Sequence, residues 1–463
     1  MNEDPTLVAA GTTADTLHRG VKLLLDSEDV TQEEAEHILQ GYRLRCVVGP
    51  EIASSPTLQA ALLTIVNTAH RCCLGGVFVE GIPDGAPLLL PTQQFGGGIA
   101  GAVVGWGGVL AGHDGDMPTL VLGSPAVQTT TGWPVLQVGF NGWIGEVQPY
   151  SGASALVGRE FILSGVLSGA VAVSECFQSL RGTAGAMRRR VRRSLWTVSG
   201  NPDAADGAGP ESYVLPTDLW LLGLGHLGQA CLWCQMLLPY SRPGDVRLVL
   251  NDYDRITTAN LSTSLLSQEA DVGKRKTRHL AAVLEARGFN TIVQERAYDG
   301  NFTRATDDPQ ILLCGVDTPR IRRLIGKAGF PEVIEAGLGH SAEAYLDFQL
   351  HTFPAKRLPE DVWAESRVRL VVSERHHRQA YQDMVSRGVD QCGIVEIAGK
   401  AVGAPFVGAY VAAMVLAEAI KSVSGGPRIE VADGSLNAPE RIKCYPRMED
   451  APVLNLGFQQ VAR

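Results

Sequence analysis

The stretch Leu219-Trp220-Leu221-Leu222-Gly223-Leu224-Gly225-His226-Leu227-Gly228 decides which fold this chain is expected to adopt. A short apolar run that leads into closely spaced glycines is typical of a buried strand, a tight turn and the first turn of a helix. The bare backbone of such a turn can approach phosphate groups, and the helix start adds free N–H groups and a positive dipole end. The glycine pattern alone is a weak indication of a nucleotide site.

Three more pieces follow in an order that strengthens this indication. Asp252-Tyr253-Asp254 comes after the next apolar run, and it is followed by Asn260-Leu261 and by Gly273-Lys274-Arg275-Lys276. An Asp at the end of the second strand of such a unit can hold ribose hydroxyls, and a downstream Lys can neutralise phosphate charge. The ordered set therefore predicts a binding site for a nucleoside triphosphate in the second half of the chain.

Composition sets the class of protein and excludes some partners. The 463 residues predict two or three domains, and the 52 glycines suit an α/β protein with many tight turns. A net charge of −9 argues against a nucleic-acid partner. The nine cysteines show no spacing typical of a disulfide framework, and no secretory signal is seen, so we expect a cytoplasmic protein. The longest apolar runs, at 99–111 and 406–420, are about 14 residues long and shorter than a membrane span, so no membrane partner is expected.

The chain divides into two α/β halves. We predict a first domain over 1–198, a linker rich in Gly, Asp, Ala and Pro over 199–214, and a second domain over 215–463. Alternating apolar strands and amphipathic helices predict an α/β fold with two Rossmann-like domains and mainly parallel sheets. The predicted elements include helices from Asp15 to Leu25 and from Ile162 to Leu180, and strands from Leu44 to Val48 and from Thr119 to Leu122. Arg188 to Arg193 form a basic run, which is read either as a solvated helix face or linker, or as a contact for phosphates or an acidic partner.

An internal echo suggests that the two halves are copies. Gly165, Glu175 and Gly182 recur with the same spacing as Gly408, Glu418 and Gly425, within two stretches of small apolar residues. The echo is either a chance similarity between Ala-rich helices or the trace of a duplicated domain. If the domain is duplicated, the first copy has lost its loop, because Val47-Val48-Gly49-Pro50-Glu51 stands where the glycines would be.

Residues 215–453 resemble the adenylating enzymes of ubiquitin-like proteins, the E1-like or ThiF-type family. This family includes ubiquitin-activating enzymes and the bacterial activators of thiamine and molybdopterin sulfur carriers. The resemblance is carried by the glycine loop, the acidic and basic residues quoted above, and later motifs. The later motifs are Asp317 with Arg322, Glu335-Ala336-Gly337-Leu338-Gly339, and Cys392-Gly393 before the closing helix.

The resemblance implies a role for each matching residue. Gly223, Gly225 and Gly228 form the nucleotide loop, Asp252 holds the ribose, Asn260 and Lys276 contact phosphates, and Asp317 coordinates Mg²⁺. A metal and fixed cations suit a reaction that attacks the α-phosphate and expels pyrophosphate. Two purely structural alternatives stay open: Asp317 could cap a helix, and Lys276 could be a solvated helix residue.

The sequence departs from the family at one phosphate-binding position. Where the family has Arg and Gln shortly after Asn-Leu, this chain has Thr263 and Ser264. Lys274, Arg275 or an arginine of the first half could supply the missing charge. The family uses an arginine near the start of the partner domain for the neighbouring nucleotide, and Arg19 is the best positional match. Weaker or differently built ATP binding is the other reading.

Cys392 is the strongest candidate nucleophile. It ends a polar crossover segment, 352–392, where several relatives place a catalytic cysteine that attacks the acyl-adenylate. A plain small residue at a loop end is the alternative. Cys314 is expected in the core, Cys444 is expected to have no partner, and the Cys231–Cys234 pair lacks the second pair that a zinc site needs.

The resemblance thus implies an E1-like activating enzyme with an inactive first copy and an active second copy. ATP and Mg²⁺ would be its cofactors, and a ubiquitin-like protein and an E2-like conjugating protein its partners. The two copies would form an internal pseudo-dimer, and a further homodimer stays open. The two-copy layout resembles bacterial antiphage conjugation systems by analogy alone. The alternatives are a sulfur-carrier adenylyltransferase, a NAD-dependent oxidoreductase and a scaffold that has lost its chemistry.

Overall fold

The structure is a computed structural model of the chain. It describes residues 13–92, 96–112, 116–125, 127, 132–152, 156–339, 341–364, 381–382, 384, 397, 401–448 and 458–461. All structural statements below concern these residues.

The first half alternates strands and helices around one sheet. Its elements are α1 (Thr13–Thr16), α2 (Arg19–Ser27), α3 (Gln32–Gly41), β1 (Leu44–Val48), α4 (Pro56–Ala69), β2 (Val77–Glu80), α5 (Gly98–Gly105), β3 (Val109–Leu110), β4 (Thr119–Leu122), β5 (Val135–Asn141), β6 (Ile144–Pro149), α6 (Ile162–Leu180) and β7 (Val191–Ser194).

The second half repeats this order and extends it. Its elements are β8 (Val214–Pro216), β9 (Asp218–Leu222), α7 (His226–Leu237), β10 (Arg247–Asn251), α8 (Lys276–Glu285), β11 (Asn290–Gln294), β12 (Ile311–Cys314), α9 (Pro319–Leu324), β13 (Glu332–Leu338), β14 (Asp347–Phe353), α10 (Pro359–Val362), α11 (Pro405–Ser424), β15 (Ile429–Ser435), β16 (Lys443–Pro446) and β17 (Phe458–Gln460).

The two large sheets share one topology. The first has the strand order β3-β2-β1-β4-β5-β6-β7, and the second has the order β11-β10-β9-β12-β13-β14-β15-β16. In each sheet the first five strands are parallel and the remaining strands are antiparallel. The predicted fold class, α/β with two Rossmann-like halves and mainly parallel sheets, is confirmed.

Four helices between the sheets join the two halves into one core. The helices α4 and α6 of the first half pack against α7 and α11 of the second half, and one contiguous apolar cluster contains residues of both. Polar and aromatic contacts cross the same seam. The Trp233 indole N–H donates to Thr64 Oγ1 at 3.0 Å, and the Trp106 ring meets Trp233 edge-on at 4.9 Å between centroids.

The glycines and glutamates that recur in the two halves make equivalent contacts. A Cβ added at Gly165 would lie 2.2 Å from the Thr57 carbonyl oxygen of α4, and one at Gly408 would lie 2.4 Å from the His226 imidazole of α7. Each glycine therefore lets the long helix of its half approach the start of the helix that follows the first strand. Gly182 and Gly425 both adopt positive φ values, 76° and 69°, just beyond the ends of these helices.

Glu175 and Glu418 also make matching contacts in their two halves. The Glu175 carboxylate accepts the Met187 N–H at 2.8 Å and pairs with Arg189 at 2.7 Å. The Glu418 carboxylate accepts the Ile429 N–H at 3.1 Å and pairs with Arg428, also at 3.1 Å. In both halves a buried carboxylate thus fixes the chain that leaves the long helix, which favours duplication over chance similarity.

Both long helices are apolar enough to cross a membrane by length and composition. However, 94% of the most hydropathic window in Ile162–Leu180 and 89% of that in Pro405–Ser424 are buried inside the molecule. This is the environment of a core helix, because the apolar side chains are covered by protein on nearly every side.

Two local expectations need correction. The helix expected to be continuous from Asp15 to Leu25 is interrupted at Leu17-His18, where the His18 Nδ1 caps α2 by accepting the Gly20 N–H at 3.0 Å. The basic run is neither a helix face nor a free linker, because it enters β7 and its arginines pair within the molecule. The carboxylate partners are Glu175 for Arg189, Glu146 for Arg190, and Glu146 and Asp203 for Arg192.

The residues predicted to form a linker, 199–214, pack on the first half. The Trp143 backbone N–H donates to the Ala208 carbonyl at 3.0 Å, and its indole N–H donates to the Pro210 carbonyl at 3.2 Å. The strand β8 then begins at Val214 and pairs antiparallel with β17. The domain boundaries themselves stay a prediction.

We predict that Gly165→Ala lowers the free energy of unfolding by about 1–3 kcal/mol, because the added methyl group overpacks the contact with Thr57. Helix propensity alone would favour Ala by about 1 kcal/mol, so the sign of the change is informative. Urea denaturation measures it. The control is Ser168→Ala in the same helix, whose hydroxyl bonds only the Gly165 carbonyl, at 3.1 Å. A Gly165→Ala protein as stable as the wild type would contradict the close approach.

Candidate active site

The candidate site lies where three parallel strands of the second half end together. Leu222 at the end of β9 is in register with Asn251 of β10 and with Cys314 of β12. The Gly223 N–H donates to the Asn251 carbonyl and the Gly315 N–H donates to the Leu222 carbonyl, each at 2.9 Å. Strand order reverses between β9 and β12, and ligands of open α/β sheets bind in the crevice at such a point.

The three glycines of the loop have three different roles. Gly223 adopts a φ of 83°, which a residue with a side chain rarely adopts, and so allows the sharp turn out of β9. A Cβ added at Gly228 would lie 2.0 Å from the Gly223 carbonyl oxygen, so this glycine lets α7 pack on the loop. A Cβ added at Gly225 would meet no protein atom within 4 Å, so this position faces open space.

The start of α7 is suited to an anion. Its N-cap residue is Gly225, which has no side chain to accept the first N–H groups of the helix. Backbone N–H groups and the positive end of the helix dipole therefore face the open space in front of the loop. This local arrangement is the one that the sequence predicted for phosphate groups.

Asp252 ties the glycine loop to the end of β10. One carboxylate oxygen accepts the Leu224 N–H at 2.7 Å, and the other accepts the Asp254 N–H at 2.8 Å. Each oxygen of an ionised carboxylate can accept a second hydrogen bond. Asp252 can thus hold ribose hydroxyls while it orders the loop, although the ribose role stays a prediction.

Lys276 is buried and held by carboxylates. Only 7% of the residue is exposed, and its Nζ lies 2.9 Å from Asp254 Oδ2 and 3.9 Å from Asp252 Oδ2. The alternative of a solvated helix residue is therefore wrong. The structure places this cation directly beside the residue predicted to bind ribose, at the edge of the crevice.

Asn260 lies in a short 3₁₀ helix, Thr258–Ser262, beside the first half. Its Oδ1 accepts the Thr257 N–H at 2.9 Å and so orders the start of this turn. The helix α1 and the start of α2 pack against the same turn. Asn260 therefore lies where both halves of the chain meet, and its predicted contact with phosphates is untested.

Asp317 follows β12 on a loop that is fixed from behind. The Arg322 Nε donates to the Val316 carbonyl at 2.7 Å and pairs with the buried Glu335 at 3.1 Å. Asp317 itself is exposed, and no cation among the described residues forms an ion pair with it. The N-cap of α9 is Thr318, so the helix-cap alternative for Asp317 is not what the structure shows.

Two of the cations that could replace the missing arginine already have partners. Thr263 and Ser264 are buried. Lys274 pairs with Asp271 at 2.8 Å, and the Arg275 guanidinium donates to the Tyr253 carbonyl, so both cations already have partners. Arg19 is different.

Arg19, at the start of α2, lies where the first half meets the turn of Asn260. Its backbone N–H donates to Ser262 Oγ at 3.1 Å, which fixes it beside the 3₁₀ turn of Asn260. Its Nη1 is buried and has no hydrogen-bond partner among the described residues. Burial, opposed by the charge of Asp15, lowers the pKa of Arg19. A buried guanidinium without a partner fits a site for an anion, because an unsatisfied buried donor is costly.

Sequence reasoning missed Arg71, which lies just after α4 in the first half. Its guanidinium donates to the carbonyl oxygens of Leu261, Leu265 and Ser267 in the second half, at 3.2 Å for the last two. An isolated arginine after an apolar helix carries no sequence signal of such a contact.

His226 was also missed, although it lies inside the glycine motif. Burial lowers its pKa to about 4, so the imidazole is neutral near pH 7. Its Nε2 is buried without a partner among the described residues, and its ring faces Gly403 and Gly408. His226 thus belongs to the packing of α11 on the nucleotide loop.

Cys392 lies outside the described residues, as do most of the residues from 365 to 400, so the structure says nothing of its geometry. Of the described cysteines only Cys444 is partly exposed, and burial raises the pKa of Cys231 and Cys314 to about 12. Cys444 was expected to have no partner, and this is wrong, because the Arg193 guanidinium donates to its Sγ at 2.9 Å.

The corresponding crevice of the first half contains an internal carboxylate. Glu51, in a short 3₁₀ turn after β1, accepts the Ser124 N–H at 3.0 Å and the Ser124 hydroxyl. A Cβ added at Gly49 or Gly123 would lie within 2.5 Å of a Glu51 carboxylate oxygen. Glu51 thus lies between the ends of β1 and β4, where strand order reverses in this sheet.

A glycine loop that faces open space at the strand-order reversal of one half, joined to a second half without such a loop, is the arrangement that the resemblance to E1-like adenylating proteins implies. Comparison with known proteins identifies the family. The model described as BilD C-terminal domain matches residues 215–426, and the model described as BilD N-terminal domain matches residues 43–195. The bacterial E1-like protein BilD of Collimonas sp. (strain OK412) is 38% identical over 428 residues, which cover 91% of each chain. The chain belongs to the BilD family of bacterial E1-like proteins.

Solved structures with some likeness are more distant. The crystal structure of E. coli MccB is 14% identical, covers 69% of this chain and 94% of its own, and has a TM-score of 0.34. The structure of PaaA is 14% identical, covers 50% of this chain and 72% of its own, and has a TM-score of 0.33. Likeness at this level carries no argument about function.

Two glycine substitutions should separate binding from stability. We predict that Gly225→Ala leaves the melting temperature nearly unchanged but weakens ATP binding by about tenfold or more, equivalent to about 1.4 kcal/mol. Its methyl group would occupy the open space before the loop. Gly228→Ala should instead destabilise the fold by about 1–3 kcal/mol. Calorimetric titration with ATP and thermal melts measure both, and unchanged ATP affinity of Gly225→Ala would show that the loop does not hold the nucleotide.

Stability should fall as the pH falls from about 6.5 to about 4. Burial lowers the pKa of His226 and of His18 to about 4, against 6.5 for a free histidine. Between these values the unfolded chain binds more protons than the folded protein, so the free energy of unfolding decreases with decreasing pH.

Melting temperatures measured at pH 7, 6 and 5 check this expectation. His226→Gln should flatten the dependence, since glutamine takes up no proton in this range. His37→Gln, on the exposed face of α3, serves as control and should leave the dependence unchanged. A wild-type melting temperature that is constant or rises toward pH 5 would contradict the expectation.

Proposed function

We propose that this protein activates the carboxy-terminal carboxylate of a ubiquitin-like protein by ATP-dependent adenylation. A thioester would then form on Cys392, and the acyl group would pass to an E2-like conjugating protein. A role in a bacterial antiphage conjugation system, in the cytoplasm, is part of the same proposal and rests on analogy. Membership of an E1-like family supports activation in general, the geometry of the glycine loop supports the adenylation step, and the step on Cys392 rests on the sequence resemblance.

The proposal is carried by two observations: the glycine loop of the second half faces open space, and Arg19 of the first half lies beside the turn of Asn260 with a buried Nη1 that has no hydrogen-bond partner among the described residues. A nucleotide phosphate in front of the loop would accept N–H groups from the start of α7, and Arg19 would turn its buried Nη1 toward the crevice to bind it. A plain dinucleotide-binding domain needs no such arginine from a second half. The geometry therefore favours a triphosphate over the nicotinamide alternative.

The residues present also fit a magnesium ion. Mg²⁺ is usually held in proteins by one or two carboxylates together with phosphates and water. Asp317 offers an exposed carboxylate at the loop after β12, and its neighbour Arg322 fixes that loop. Mg²⁺ would supply charge neutralisation for the triphosphate, and Asp317 would hold it.

In the first step, an oxygen of the carrier's terminal carboxylate forms a bond to the α-phosphorus, and the bond from that phosphorus to the pyrophosphate oxygen breaks. Negative charge increases on the bridging oxygen that leaves. Lys276, beside Asp252, and Arg19, beside the turn of Asn260, are the cations proposed to stabilise this charge. To reach a phosphate, Lys276 must share or exchange its contact with Asp254.

In the second step, the Cys392 thiolate attacks the acyl carbon and AMP leaves with the electrons of the acyl–phosphate bond. The product is a thioester, which an E2-like cysteine can take over by exchange. Burial raises the pKa of most described cysteines, which makes them poor nucleophiles. This leaves Cys392 as the candidate that the sequence favours.

The first half is proposed to bind no nucleotide. The Glu51 carboxylate already occupies the space between Gly49 and Gly123 at the reversal point of its sheet. A negative side chain held there by Ser124 would repel a phosphate. The first half would instead supply Arg19 to the active half.

Two substitutions test the two steps separately. We predict that Asp317→Ala abolishes ATP–pyrophosphate exchange, because a site for the metal is lost. Cys392→Ala should keep the exchange yet form no thiol-sensitive adduct with the carrier. The matched controls are Asp347→Ala, an exposed carboxylate of the same half, and Cys444→Ala, the partly exposed thiol among the described cysteines.

The outcomes separate the proposed function from its alternatives. Full exchange by Asp317→Ala would remove Asp317 from the metal site. A dithiothreitol-sensitive adduct on Cys392→Ala would disprove the nucleophile. A carrier product 16 Da heavier, as expected for a thiocarboxylate, would favour the sulfur-carrier alternative. No exchange by the wild type with any ubiquitin-like carrier would favour a scaffold.

A further inference from the structure

Arg71 is a charged residue of the first half whose two terminal guanidinium nitrogens bind the backbone of the second half. Only 5% of the residue is exposed. Its Nη1 donates to the Leu261 carbonyl, and its Nη2 donates to the carbonyls of Leu265 and Ser267, both at 3.2 Å. Its Nε donates within the first half, to the Asn67 carbonyl and side chain at 3.1 Å.

No carboxylate among the described residues pairs with this charge. Burial lowers the pKa of Arg71 to about 10, yet the group remains protonated at neutral pH. A buried guanidinium without a counter-ion is tolerated only where several acceptors satisfy its donors. Backbone carbonyl oxygens of residues 261–267 fill this role, so the shape of that segment and the charge of Arg71 depend on each other.

The segment 261–267 connects to the active site at both ends. It follows Asn260 directly and begins with Leu261 and Ser262, and Ser262 holds the backbone of Arg19. Toward its other end, the Leu266 N–H and the Ser267 hydroxyl both donate to the Gln229 side chain of α7, at 3.0 Å. It also contains Thr263 and Ser264, where the family has its phosphate-binding pair.

A second polar contact from the same place strengthens the connection. The Asn67 amide donates to the Leu265 carbonyl at 3.1 Å, in addition to the bond from Arg71. Asn67 lies in the last turn of α4, and Arg71 lies just beyond the end of this helix. The first half thus contributes a polar pair that binds the backbone of this segment directly.

We propose that Arg71 is a positioning residue for nucleotide binding: it shapes residues 261–267 so that Asn260 and Arg19 face the same crevice. This inference rests on the proposed function and names the element by which the first half completes the active site. Arg71 does not touch the nucleotide itself, because its donors are already occupied by carbonyl groups. The family has a phosphate-binding arginine where this chain has Thr263. Arg71 compensates for its absence by fixing the backbone of residues 261–267, and Arg19 compensates by supplying a positive charge.

The experiment compares Arg71→Met and Arg71→Lys with wild type in ATP–pyrophosphate exchange with a ubiquitin-like carrier. We expect the KM for ATP to rise by about ten- to hundredfold in Arg71→Met, because a small displacement of binding groups has an effect of this size. Arg71→Lys keeps the charge but cannot bridge three carbonyl groups, so we expect an intermediate rise.

The control is Arg189→Met, because Arg189 also joins the halves through backbone carbonyl groups, away from the crevice. Its guanidinium donates to the Asn437 carbonyl at 2.8 Å and to the Leu436 carbonyl at 3.3 Å. Both Met variants should lower the melting temperature, but only the Arg71 variants should raise the KM for ATP. Hydrogen exchange should show faster exchange over 261–267 in Arg71→Met alone.

The possible results are distinguishable. A lower melting temperature of Arg71→Met and Arg71→Lys with an unchanged KM for ATP would overturn the inference and leave the proposed function standing. An equal rise in KM for Arg189→Met would also overturn it, since any loosening of the interface would then suffice. A wild-type protein without exchange would overturn the proposed function and this inference with it.

Discussion

The close approach of four helices between two sheets is the constraint on which the rest of the structure depends. The helices α6 and α11 each carry a glycine where the neighbouring helix begins, and a side chain at either glycine would collide with Thr57 or His226. Because protein interiors are packed as densely as organic crystals, such a collision would displace the neighbouring helices and strands. The position of the glycine loop, which starts α7, therefore depends on how closely α11 packs on α7 at Gly408.

The interface between the halves gives a physical reason for retaining the first half. This half has Glu51 at its own strand-order reversal point, and its Arg19, Arg71 and Asn67 donate hydrogen bonds to the second half. Arg19 and Arg71 could leave the second half only if the two halves separated. The shared apolar core opposes that separation. Duplication followed by specialisation is the simplest account of two similar halves with unequal sites.

The fold was largely predictable, because hydrophobic periodicity and glycine spacing act locally. The strands Leu44–Val48 and Thr119–Leu122 and the helix Ile162–Leu180 have the predicted bounds. The break at His18 was missed, because a histidine that caps a helix resembles one inside it. Arg188 to Arg193 were misread, since a run of charges does not reveal that Glu146, Glu175 and Asp203 lie beside it.

The sequence by itself determined the order of the motifs, the two copies and the chemical type of each candidate residue, since these follow from residue identity and spacing along the chain. Only the tertiary structure decided that Lys276 is buried between carboxylates, that Arg19 lies beside the turn of Asn260, and that Arg71 holds the segment after it. Such contacts join residues that are distant in sequence. Their energies depend on burial and on the direction of single hydrogen bonds, and neither is encoded in any local pattern.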